Sequence, residues 1–163
     1  LGGKYKTDIM LIGASHNLET DTAVSATIGI RVEAIRRTLR AHGVNNWNEI
    51  VSDTWDPELG YKAVLEAHEK GQMPHAIIAL NDNIAFGVYQ ACSELGIKIG
   101  EDVSLVSFDD DEFSGNLKPG LTTARLPYEV IGQLAVRQVL AESPSPGIHL
   151  VPMPIQKRES VAK

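Results

Sequence analysis

Cysteine occurs once, at Cys92. No disulfide can close within the chain, and a single thiol on an apolar stripe reads as a small buried hydrophobe. No apolar run approaches the roughly 20 residues that span a bilayer, so no membrane helix is expected. Positive charge is in deficit: 15 Lys and Arg stand against 21 Asp and Glu, for a net charge of −6. Phosphate binding needs a clustered basic excess, so this chain is not expected to touch nucleic acid itself. The one local basic cluster, Arg36, Arg37 and Arg40, reads as a solvated helix face. The histidines (His16, His42, His68, His75, His149) lack metal-ligand spacing. A Gly-rich phosphate loop and a Gly-x-Ser-x-Gly elbow are both absent, and no nucleophile–base pair can be named. An enzyme is therefore not expected, and neither is a metal or a cofactor. Internal repeats, low-complexity tracts and a signal peptide at Leu1 are also missing. Leu1 is not a methionine, so the chain reads as a candidate fragment of something longer.

What is present is an ordinary globular composition: 43% apolar and 22% charged over 163 residues. That suits one domain, or one half of a two-lobed protein. The most informative stretch is His75 to Asp110. Residues 75–80 form a short apolar run bounded by Pro74 and polar residues, which predicts a buried strand. Ile84, Val88, Ala91 or Cys92, and Leu95 then recur at helical spacing. Asp82 is placed as an N-cap and Gly96 as a C-terminal stop. Residues 103–108 are a second apolar run. Strand, helix, strand of this length is a right-handed crossover in a parallel sheet.

The flanks repeat the pattern. Residues 8–13 predict a first strand. Residues 23–42 predict a helix with Ile28, Val32, Ile35 and Leu39 on one face, stopped by Gly43. Residues 49–52 predict a short strand, and Asp56-Pro57 a helix start. After Asp111 the periodicity fails through a Gly/Asn/Pro loop to Gly120. A strand at 121–125 and a helix opened by Pro127 follow. Pro152 and Pro154 suit an edge strand or connector rather than a central strand. The fold class is α/β, a parallel sheet flanked by helices.

In such sheets ligands bind beyond the carboxyl ends of the strands. Four strand ends carry polar or aromatic residues: Ser15-His16, Asp53 with Trp55, Asn81-Asp82, and Asp109-Asp110. Arg31, on the amino-terminal half of the first helix, neighbours its apolar face and can lean towards the same edge. An Arg, an Asn, an Asp and a Trp around one cleft suit a small polyhydroxylated or heterocyclic ligand. Each has a plainer reading. Trp55 either stacks on a ligand or lids the core. Asp82 reads as a cap rather than a ligand contact. Asp109-Asp110-Asp111 reads as a solvated loop rather than a hard-cation site.

Leu80-Asn81-Asp82-x-x-Ala85-Phe86-Gly87 resembles the Asn-Asp helix start of LacI/GalR-type transcriptional regulators. Gly100-Glu-Asp-Val-Ser-Leu-Val-Ser-Phe-Asp-Asp110 fits the same family, as do Leu121-Thr-Thr-Ala-Arg125 with Ile131-Gly132 and the ending Lys157-Arg158-Glu159-Ser160-Val161. The resemblance covers essentially the whole chain in one register. It implies the carboxyl-terminal half of an effector domain built like a periplasmic sugar-binding protein, two lobes with the effector between them. Residues 1–110 would be the second lobe, 111–142 a loop, strand and helix returning to the first lobe, and 143–163 a terminal strand and tail. Arg31, Trp55, Asn81 and Asp109 fall on effector-contacting positions of the family, with Ser15, His16 and Asp53 as further candidates. Leu126 stands where relatives often carry Gln, and Ala34 where they commonly carry Gly.

The resemblance also implies a cytoplasmic homodimer that takes a small effector, with a sugar favoured. DNA would be reached only through a head domain absent from this chain. Dimerisation would use the central helix and the loop holding Leu117, with Phe86, Tyr89 and Gln90 on a helix face away from the core stripe. Two other classes remain open: an exported solute-binding protein of an ABC transporter, and a metal-dependent hydrolase or transferase using the acidic run.

Overall fold

The computed structural model describes residues 9–14, 23–52, 54–141, 147 and 149–162, and of 23–28 only the backbone. The elements in chain order are β1 (Ile9–Ala14), α1 (Ala23–Ala41), β2 (Asn48–Val51), α2 (Pro57–Glu69), β3 (Ala76–Ala79) and α3 (Asp82–Glu94). Then come β4 (Ser104–Asp109), β5 (Thr122–Arg125), α4 (Tyr128–Leu140) and β6 (Ile155–Gln156). One six-stranded sheet runs in the order β2-β1-β3-β4-β5-β6. The first five strands are parallel and β6 is antiparallel to β5. β6 is the edge strand that the prolines predict.

Strand order reverses between β1 and β3, which makes the gap above their carboxyl ends the switch point of the sheet. β1 is buried at every position, as an apolar strand covered on both faces must be. On one face α2 and α3 close a core around Ile12, Val64, Ile77, Ile84, Val88 and Leu105. On the other, Val32 of α1 packs with Leu11, Ala14 and Leu80, and with the half-buried Trp47 and Phe108. Arg36 departs from the expected solvated face. Its guanidinium grips Glu49 through Nε (2.9 Å) and Nη2 (2.6 Å), tying α1 to β2.

Two helix starts follow different rules. Asp56 caps α2 as expected, accepting from Leu59 N, with Pro57 at the first helical position. The cap of α3 is Asn81, not Asp82: its side chain accepts from Ile84 N at 2.8 Å. Asp82, one residue further in, is released for other work.

The carboxyl-terminal part is less covered. β5 pairs with β4 from Val106↔Thr122 to Asp109↔Arg125, so the sheet continues past residue 110. The tail pins this end: Leu105 N donates to Ser160 O, and Ser160 Oγ donates to Leu105 O while accepting from Thr122 N. α4, by contrast, buries none of its residues. Tyr128, Val130, Ile131, Val136, Val139 and Leu140 are all exposed.

α2 and α3 touch backbone to backbone where Gly60 meets Gly87. A Cβ on Gly87 would lie 1.8 Å from Pro57 O and 2.8 Å from Tyr61 N. Gly87→Ala should therefore destabilise the chain by about 1–3 kcal/mol or more, because neither helix can yield without repacking the core. Gly132→Ala, with no atom within 4 Å of the new Cβ, should be neutral or stabilise this chain by up to about 1 kcal/mol. Urea denaturation of both variants measures the contrast; equal midpoints would refute the close helix crossing.

Candidate ligand site at the carboxyl edge of the sheet

Three residues expected at the strand ends, Trp55, Asn81 and Asp109, and Arg31 of α1 fall at the carboxyl edge of the sheet. Trp55 Nε1 donates to Gly13 O at 3.1 Å, which anchors the indole over the end of β1. Gly13 holds φ +103°, a conformation that glycine adopts without a Cβ penalty. The Trp55 carbonyl accepts from Asn81 Nδ2 at 3.1 Å. Arg31 Nη1 donates to Leu80 O at 2.7 Å, and its guanidinium lies 4.6 Å from the centre of the Phe108 ring. Asp109 ends β4 beside that pair.

The two charged members oppose each other. Burial lowers the Arg31 pKa, and the Asp109 charge works against that shift. Burial pushes the Asp109 carboxyl up to about 6; Arg31 pulls it down, while Asp82 and Asp111 push it further up. The Asp109 carboxylate accepts no hydrogen bond from any described residue, although its backbone oxygen takes Leu126 N at 3.0 Å. Asp109 and Asp110 both have positive φ, 111° and 58°. Conformations of this kind cost non-glycine residues on the order of 1–3 kcal/mol each.

The acidic run is not the solvated loop expected of it. Asp110 is 4% exposed in its side chain and holds Arg125 Nε at 2.6 Å and Arg158 Nη2 at 2.7 Å. Asp111 N donates to Asp82 Oδ2 at 2.8 Å. Asp82 is fully buried and also accepts from Ser107 Oγ, Ser114 Oγ and Thr123 Oγ1, the last at 2.8 Å. It is therefore neither the cap nor a ligand contact but a junction of α3, β4, β5 and the following loop. Neither the Asp82 junction nor the Asp110 ion pairs were legible in the sequence, since their partners lie between 15 and 48 residues away. No group of three or more His, Cys, Asp or Glu could hold a metal among the described residues.

Of the further candidates, Ser15, His16 and Asp53 lie outside the described residues. Tyr128, not singled out by sequence, stands exposed at the start of α4. Its hydroxyl pKa is raised by burial and by the charges of Asp109, Asp111 and Asp82.

The helix-face residues separate. Phe86 is partly exposed and meets Phe113 edge to face at 5.8 Å. Gln90 is exposed, and Leu117 is half-buried against the main core. Tyr89 corrects the expectation of a wet face: it is buried, and its hydroxyl donates to Pro119 O at 2.7 Å. The loop after β4 folds back over α3 and satisfies the hydroxyl, so Tyr89 needs no second chain to cover it.

Comparison with known proteins agrees with this fold. The family described as "Periplasmic binding protein-like domain" matches residues 4–161. The ribose operon repressor of Haemophilus influenzae is 30% identical over 150 residues, 90% of this chain and 45% of the relative. The lactose operon repressor of Escherichia coli K12 is 30% identical over 109 residues, 65% of this chain and 30% of the relative. The chain thus spans less than half the length of these curated relatives. A solved dimeric Lac repressor superposes with a TM-score of 0.81 at 24% identity, over 97% of this chain and 56% of that one. No helix among the described residues is long and apolar enough to cross a membrane. This chain belongs to the periplasmic binding protein-like domain family, among the LacI-type transcriptional regulators.

Proposed function

We propose that this chain forms one wall of the effector site of a transcriptional repressor. The observation that carries the reading is the half-buried Asp109 carboxylate. It faces Arg31 at the carboxyl end of β4 and takes no hydrogen bond from the described residues. A ligand hydroxyl supplies the missing donor. Arg31 spends one N–H on Leu80 O and keeps others for the ligand. Asn81 has less to give: its oxygen caps α3 and one amide hydrogen reaches Trp55 O, so a single N–H remains. Trp55 offers the uncovered part of its ring. Donors and acceptors beside a flat apolar surface suit a sugar or sugar derivative best, with a purine-like base as the runner-up. Effector binding would alter operator affinity through a first lobe and a DNA-binding head outside this chain, in the cytoplasm. The relatives are repressors rather than enzymes or transport receptors, so no turnover is expected, with or without a divalent metal. A second copy is expected to pair through Phe86 and Gln90 of α3 and through Leu117, with Tyr89 supporting Phe86 from within.

In the intact parent, Asp109→Ala should remove a charge-assisted hydrogen bond worth about 1.5–3 kcal/mol, a roughly ten- to hundred-fold loss of effector affinity by calorimetry. Unchanged affinity would remove Asp109 from the site. The same carboxylate sets a pH dependence. Its folded pKa is raised above the unfolded value, so the ionised acceptor is lost as pH falls through about 6, and affinity should decline over that range. Asp109→Asn should flatten the profile; a profile still falling below about 6 would point to another group. Phe86→Lys, with Tyr89 left intact, should sediment as a folded monomer. A persisting dimer would locate the interface elsewhere.

A further inference from the structure

Asp109 and Asp110 hold consecutive positive φ angles without being glycine. Such a pair persists only where its surroundings over-determine it. The surroundings here are specific. Arg125 and Arg158 grip the Asp110 carboxylate, and Thr123 Oγ1 accepts Asp110 N at 3.3 Å. Leu126 N holds the Asp109 carbonyl. The next residue, Asp111, gives its N–H to Asp82, and Ser114 at the far end of the loop gives its hydroxyl to the same carboxylate oxygen. The other Asp82 oxygen is tied to β4 and β5 through Ser107 and Thr123. Residues 109–114 are thus slung between the end of β4 and one fully buried side chain that itself reaches no ligand.

We infer that Asp82 is a positioning residue, which holds the 109–114 loop so that the Asp109 carboxylate stays half-buried and opposite Arg31, without a hydrogen bond from the described residues. The inference rests on the reading of Asp109 as an effector contact and extends it to a residue that acts through another. Among the described residues, the groups that act electrostatically on or with Asp109 are Arg31 from α1, Asp82 from α3, Asp111 from the loop and the Tyr128 hydroxyl from α4. Asp110, its neighbour in sequence, is neutralised by its two arginines. Loosening the loop would let Asp109 turn to water. Removing the Asp82 charge would also take away a repulsive neighbour. Both changes lower the Asp109 titration midpoint.

The test follows the Asp109 carboxyl ¹³C resonance in this chain from about pH 3 to about pH 8, assigned by its loss in Asp109→Asn. Asp82→Asn should lower the midpoint by about half a pH unit or more. A role confined to stability would lower the melting temperature and leave the midpoint where it was. Because Asp82→Asn also removes a repulsive charge, Ser114→Ala decides between charge and positioning. It removes one anchor of the loop without changing charge, and it too should lower the midpoint. A midpoint unchanged from the parent chain in Ser114→Ala overturns the inference. No ligand enters this measurement, so its outcome is separate from the effector affinity of Asp109→Ala.

Discussion

A single buried carboxylate holds the ligand edge of this sheet together. Asp82 sits in the first turn of α3, where backbone N–H groups and the helix dipole favour negative charge. Its oxygens draw in hydroxyls from β4, β5 and the loop beyond β4, together with one backbone N–H. Each donor left without this acceptor would be a buried polar group in a low-dielectric interior, so the network is most costly when partly satisfied. Through these bonds the start of α3 is tied to β4, to β5 and to the loop that follows β4.

The site is economical with polar groups because the same residues build the fold. Asn81 caps a helix, carries the Trp55 carbonyl and still leaves one N–H at the cleft. Arg31 satisfies the Leu80 carbonyl while stacking on Phe108. Groups fixed by such bonds would lose little rotamer freedom to the proposed ligand, which is the physical content of preorganisation. Asp109 is the exception: its backbone is held, while its half-buried carboxylate accepts no hydrogen bond from the described residues.

Away from this edge the chain carries apolar surfaces that no other described residue covers. The apolar side chains of α4 stand in water, and Ile30, Leu150 and Ile155 are more than two-thirds exposed. Scattered exposed leucines need no explanation, but a helix with several exposed apolar residues and none buried does. The proposed two-lobed arrangement supplies one, since α4 would then lie against the first lobe.

Periodicity, apolar runs and punctuation in the sequence were enough for the element order, the parallel sheet, the Asp56-Pro57 helix start and the glycine after α3. Those features depend on neighbours a few residues apart. The convergence of Arg31, Trp55, Asn81 and Asp109 was also legible, because strand ends in a parallel sheet share one edge. Only the tertiary structure decided which of two adjacent residues caps α3, and that Asp110 lies between Arg125 and Arg158. It also decided that Tyr89 is buried beneath the loop ending in Pro119. In each case a polar group chose its partner from candidates that chain distance does not rank. The choice went to whichever donor or acceptor the folded backbone had already desolvated.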